Sequence, residues 1–177
     1  PGLDYMESGT LFFLNLLQFN GMMLHSSAVV MDGYAYMFSA PCGTGKSTHT
    51  TMWRQAFGND RVLMLNDDKP ALRLENGQWF AYGTPWMGKE RWGTKAKAPL
   101  KGLCFLEQAK TNAIRKLSVS ETSSRLFTQI LIPNEEANAI ATLDITDKLV
   151  STVPAYLLQC DISEEAVEKS FEMMTGY

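Results

Sequence analysis

The sequence predicts an α/β fold on a mixed sheet, in which an antiparallel hairpin feeds a phosphate-binding loop and the C-terminal part is mostly helical. Three observations lead there. The run from Phe38 to Thr48 ends in Gly45-Lys46-Ser47, the close of a Walker A motif. Two apolar runs precede it, residues 22–31 and 34–38, joined by Asp32-Gly33, a strong two-residue hairpin signal. After Lys46, the pairs Met52/Ala56 and Trp53/Phe57 recur at helical spacing until Gly58-Asn59 stops them.

The remaining elements follow in order. Residues 5–19 carry the apolar stretch 11–17, too short to cross a membrane, and read as a buried helix. The run 22–31 reads as one strand. Residues 61–66 read as a central strand that delivers Asp67 and Asp68 to its end. Residues 71–75 and 78–82 flank Asn76-Gly77 and read as a second hairpin. Residues 83–99 have no periodicity and are rich in Gly, Trp, Lys and Thr, which predicts a functional loop or lid. Strands are expected at 100–106, 114–117 and 155–160. Ser118-Val119-Ser120-Glu121 reads as a capping box opening a helix to residue 131. Asn134 is expected to cap a helix running to residue 150, and Ser163 one that Gly176 stops.

Composition narrows the function. The chain has 177 residues, of which 45% are apolar and 20% charged, and a net charge of −3. These values fit an ordinary globular chain and offer no basic surface for nucleic acid or an acidic membrane. Cys42, Cys104 and Cys160 are odd in number and unpatterned, which fits a reducing, cytoplasmic setting and no zinc site. No basic segment and cleavage site precede the first apolar stretch, so it is not read as a signal peptide. The whole of 1–177 is read as one kinase-like domain. Its opening at Pro1 without a methionine fits a trimmed chain or the C-terminal part of a longer one. A homo-oligomer is compatible with this composition.

The chemistry centres on the loop Ala40-Pro41-Cys42-Gly43-Thr44-Gly45-Lys46-Ser47-Thr48, whose leading position is alanine instead of glycine. Gly43 and Gly45 let backbone N–H groups wrap a polyphosphate, Lys46 reaches the β and γ phosphates, and the Ser47 hydroxyl suits Mg²⁺. The expected ligands are therefore ATP, or another nucleoside triphosphate, and Mg²⁺. Asp67 and Asp68 point to opposite sides of an extended backbone, so they are expected to divide the work. Asp67 would join Ser47 on the metal, and Asp68 would act as base on an attacking hydroxyl. His25 lies on a strand expected to neighbour the site. Lys89, Arg91, Lys95 and Lys97 would clamp phosphoryl charge from the lid. Trp86 and Trp92 would either stack on a base or pin that lid.

Leu24-His25-Ser26-Ser27-Ala28-Val29-Val30, the loop 38–47 and Leu65-Asn66-Asp67-Asp68 together resemble the HPr kinase/phosphorylase family, and more closely its shorter related proteins. The resemblance covers residues 20–108 and, more loosely, the C-terminal helices. It implies the fold of the HPr kinase C-domain, shared with phosphoenolpyruvate carboxykinases, and catalytic roles for His25, Lys46, Ser47 and Asp68. Gly83-Thr84-Pro85-Trp86-Met87-Gly88-Lys89 and Ala98-Pro99-Leu100-Lys101-Gly102 also look like a pattern of the related proteins. Thr48 stands where true HPr kinases carry an acidic residue, residues 81–85 replace their Glu-x-Arg-Gly segment, and their glycine-rich C-terminal signature has no counterpart. Nucleotide binding carries over well with the resemblance; HPr as substrate carries over poorly. The expectation is a Mg-dependent kinase acting on a protein or small-molecule hydroxyl. The alternative is a nucleotide-binding regulatory module without phosphotransfer, and a carboxykinase activity ranks third.

Overall fold

The computed structural model describes residues 2–176. Helix α1 (Gly2–Leu17) opens the chain, and β1 (Gly21–Met23), β2 (Ser26–Met31) and β3 (Tyr34–Ser39) lead to α2 (Lys46–Phe57). Next come β4 (Val62–Asn66), β5 (Ala71–Glu75), β6 (Gln78–Tyr82), β7 (Lys97–Gln108) and β8 (Ala113–Lys116). Helices α3 (Val119–Leu126) and α4 (Glu136–Thr152), strand β9 (Ala155–Cys160) and α5 (Glu164–Thr175) complete it. The fold is mixed α/β with a curled mixed sheet, as the sequence predicts.

Both hairpins form at their expected turns. Asp32 and Gly33 take φ of 51° and 83°, and Asn76 and Gly77 take 49° and 81°, the left-handed pairs that a type I′ turn requires. The run 22–31 does not form one strand. It breaks at Leu24-His25 because its halves pair with different partners: β1 runs antiparallel to β5, and β2 lies between β3 and β4, antiparallel to both. Residues 97–99 are not lid. They extend β7 by pairing with β6, so β7 joins both halves of the sheet. The first helix ends two residues early, at Leu17, and is not buried as expected: it buries Phe13 and Leu17 but leaves Leu11 and Phe12 exposed. Helix α3 ends at Leu126 instead of residue 131. The cap of α4 is Glu135, one residue past Asn134, and makes no side-chain capping bond. The Ser118–Glu121 capping box and the Ser163 cap form as expected.

Strand directions place the site. β3, β7 and β9 are mutually parallel in sequence of pairing, and β4 runs with β3 because both oppose β2. The C-terminal ends of β3 and β4 therefore share one sheet edge with the N-terminal end of β2. Alternate residues of these strands enter two cores. Met37, Leu103, Phe105 and Leu157 pack with α1, α3 and α4, whereas Phe38, Cys104, Leu106 and Leu158 pack with α2 and α5. Covered on both faces, the strands read as nearly continuous apolar runs.

Candidate nucleotide and phosphotransfer site

The loop between β3 and α2 has the backbone that a phosphate loop needs. Gly43 and Gly45 sit at φ 81° and 115°, the left-handed region that costs an L side chain energy, and a Cβ at either would point into open space. Ala40 at the leading position is not strained. It lies outside the left-handed region and its methyl is buried with Phe38 and Trp53. Pro41, Cys42 and Gly43 are exposed, while Ser47 and Thr48 lie on the first turn of α2, whose N-terminus favours an anion. The Lys46 ammonium donates to the carbonyls of Ala40 (2.8 Å) and Pro41 (3.3 Å), so it bridges the loop's own strand end. Burial holds its pKa below the ordinary lysine value; Cys42 and Asp68 oppose that shift and Lys69 adds to it.

Beneath the loop, α2 is fixed to α5. Ser170 Oγ donates to the Val167 carbonyl and accepts from Trp53 Nε1–H (2.9 Å), so its remaining lone pair accepts from His49 Nε2–H (3.0 Å). His49 is thereby a neutral Nε2–H tautomer, set edge-on to Phe38, and burial pushes its pKa down to about 4.

The second cluster follows β4. Asn66 is fully buried and organises it: its Oδ1 accepts from Asp68 N–H and Lys69 N–H (both 2.8 Å), and its Nδ2 donates to the Thr84 carbonyl and hydroxyl. This Asx turn splits the two aspartates. Asp67 is buried and its Oδ1 accepts from Gly88 N–H at 2.7 Å, which leaves Oδ2 outside that bond. Asp68 turns the other way, with Oδ1 3.4 Å from His25 Nε2 and 3.8 Å from Lys69 Nζ.

His25 sits in the bend just before β2, anchored by Gln129 of the α3–α4 connection. The His25 N–H donates to the Gln129 carbonyl (2.9 Å), and His25 Nδ1 lies 3.0 Å from Gln129 Oε1. Gln129 spends its own Nε2–H on Thr128 Oγ1, so Oε1 is an acceptor and His25 carries its proton on Nδ1. The His25 Nε2 then faces the Asp68 carboxylate, and the pair gains a hydrogen bond when one proton sits between them. Burial lowers the His25 pKa most, then Lys69 and Lys46; Asp68 and Gln129 raise it. The structure thus brings Lys46, Asp68 and His25 within electrostatic range of one another, with Lys69 and Gln129 beside them. Lys69 adjoins the Asp-Asp pair and was within reach of a reading by spacing; Gln129 carries no local signal.

The segment 83–96 is pinned rather than free. Trp86 Nε1 donates to the Tyr5 carbonyl (3.1 Å) and its ring meets Phe12 at 4.8 Å, while Arg54 lies 4.9 Å over Trp92. Thr94 N–H donates to the Leu65 carbonyl. Lys89 and Arg91 lie exposed on its turn and, with Lys95 and Asp68, line a cavity of about 1340 Å³.

Among the described residues no helix is long and apolar enough to cross a membrane, and no three His, Cys, Asp or Glu side chains cluster as a metal site. Among solved structures, the Hpr(Ser) kinase/phosphatase from Coxiella burnetii is similar in fold. The match has a TM-score of 0.50 at 13% sequence identity and spans 88% of this chain and 94% of that one. No curated protein matches in sequence. The family described as SynChlorMet cassette protein ScmC matches residues 4–172, and with nearly the whole chain covered, this protein belongs to that family.

Proposed function

We propose that the chain binds a nucleoside triphosphate, ATP in the first instance, and transfers its γ-phosphate to a hydroxyl of a protein or small molecule. The observation that carries this reading is the convergence of Lys46, at the phosphate loop, with the His25–Asp68 pair at the same sheet edge. Lys46 and the N-terminus of α2 would hold the phosphates. The acceptor oxygen would attack the γ phosphorus, the bond to the β-phosphate oxygen would break, and its electron pair would leave with ADP. The hydroxyl proton would pass to the His25–Asp68 pair, whose facing Nε2 and Oδ1 have room for one proton. Mg²⁺ would be held by Ser47 and by Asp67, whose Oδ1 accepts from Gly88 N–H and whose Oδ2 lies outside that bond. Magnesium takes few protein ligands and keeps waters, and bound there it would neutralise phosphate charge. The reading treats residues 1–177 as one kinase-like domain.

One observation favours the second reading, a nucleotide-binding regulatory module. Asp67 already spends one oxygen on Gly88 N–H, which ties it to the architecture of the 83–96 segment. The deciding experiment combines calorimetric titration of the full chain with Mg-ATP and assay of ADP formation against a panel of hydroxyl acceptors. Binding with transfer supports the kinase, and binding without transfer to any acceptor supports the module. Absence of binding overturns both.

A further inference from the structure

A second cavity, of about 380 Å³, shares His25, Asp68 and Lys69 with the site but is otherwise mostly apolar. Phe13, Met23, Trp86, Ile130 and Leu131 form its apolar walls. The aromatic wall is held in place before any ligand arrives. The Trp86 indole is bonded to the Tyr5 carbonyl and packed on Phe12, and it lies so close to α1 that a Cβ at Gly9 would meet Nε1 at 2.8 Å. A glycine inside a helix costs stability, and here it lets the indole seat against the helix backbone.

The charges of this cavity are mutually engaged. Asp68 faces His25 and Lys69, and the remaining lining groups are neutral. An ionic guest would shed hydration without a spare counter-charge, whereas an apolar body would gain by leaving water. The neighbouring cavity differs, being lined by Lys89, Arg91 and Lys95. The volume lies near the small end of ligand pockets, roughly 300–1,000 Å³, which suits one ring or branched group with a short chain.

We infer that this cavity binds a neutral molecule or peptide side chain with a compact apolar body and a hydroxyl, and presents that hydroxyl to His25 and Asp68. What then happens to the hydroxyl rests on the kinase reading; the binding itself does not. The source, a free alcohol or a residue within a peptide, shares this chemistry.

The test is saturation-transfer NMR on the full chain without nucleotide. The probes are phenethyl alcohol, the blocked dipeptide acetyl-phenylalanyl-serine amide, and glycerol phosphate as the charged comparison. Leu131→Trp fills the cavity from an exposed position, and Ile140→Trp changes an exposed residue of α4 that does not line it. At least one neutral probe should bind the wild type and Ile140→Trp alike, and bind Leu131→Trp roughly tenfold more weakly. Binding of the alcohol alone marks a free small molecule, and binding of the dipeptide alone marks a peptide residue. The inference is overturned if neither neutral probe binds, if Leu131→Trp binds as the wild type does, or if glycerol phosphate competes equally. A phosphotransfer assay on the same samples separates the two readings. Neutral binding with no transfer sinks the kinase and leaves the cavity; transfer to glycerol phosphate with no neutral binding sinks the cavity assignment and leaves the kinase.

Discussion

Gln129 grips His25 twice, through its carbonyl on the histidine N–H and through Oε1 on the ring Nδ1–H, and so decides which ring nitrogen meets Asp68. Gln129→Leu keeps the bulk and removes the ring's acceptor. Because that bond raises the His25 pKa, the variant should titrate lower than the wild type, and phosphotransfer should slow with ATP affinity unchanged. His25 and His49 are the chain's two histidines, so ring proton NMR resolves the titration. An unmoved titration would show that Gln129 does not set the ring.

Lys46→Ala should weaken Mg-ATP binding by more than tenfold, since a charge-assisted contact to phosphate is worth about 1.5–3 kcal/mol. Its ammonium already reaches the loop carbonyls at Ala40 and Pro41, so the variant loses a group in place, not one that must be recruited. Calorimetry showing unchanged affinity would remove the phosphate-loop reading.

Asp68→Asn should leave ATP affinity nearly intact and abolish transfer, because a base acts on the acceptor. The same change should lower the His25 pKa further, since Asp68 raises it. Transfer at the wild-type rate would deny Asp68 the role of base.

His49 makes the fold acid-sensitive. Its native pKa is depressed to about 4 from 6.5, so between those values the unfolded chain takes up a proton that the native state refuses. Stability contributed at neutral pH is therefore lost as pH falls through this window, by up to about 3 kcal/mol. Urea unfolding at steps across that range checks it, and His49→Gln should flatten the slope. An equal slope in both proteins would place the acid sensitivity elsewhere.

The 83–96 segment should exchange unevenly with deuterated solvent. Gly88 N–H and Thr94 N–H, bonded to Asp67 and the Leu65 carbonyl, should exchange slowly without nucleotide. Lys89 and Glu90 on the exposed turn should exchange quickly and gain protection with Mg-ATP. Uniform exchange along the segment, unaltered by nucleotide, would reduce its lysines to solvated surface charge.

What the sequence disclosed was local. Asp32-Gly33 and Asn76-Gly77 dictate their own turns, and Gly43-Thr44-Gly45-Lys46-Ser47 dictates its own loop. What it concealed depends on distant partners. The break at Leu24-His25 comes from bonds to Pro70, Asp68 and Gln129, none of which leaves a mark in residues 22–31. The strand at 97–99 exists because β6 offers it an edge. Trp86 and Trp92 pin the segment, since Phe12 and Arg54 wait beneath them. Motif and resemblance single out His25, Lys46 and Asp68 as candidates, whereas Gln129 sits 104 residues from His25 in a turn without periodicity.

The shared strand β7 also sets an order for the chain's assembly. The two type I′ hairpins are local and close on a timescale of about 1–10 μs, but β7 must find β3 and β9 by parallel pairing across long intervening stretches, a slow, entropically costly search. Residues 25, 46 and 68 are brought together by β2, β3 and β4, and residue 129 joins them when the α3–α4 connection docks on His25. Until β7 is seated, the unpaired edges of β3 and β9 lie open to other chains, so aggregation during synthesis is the hazard this topology carries.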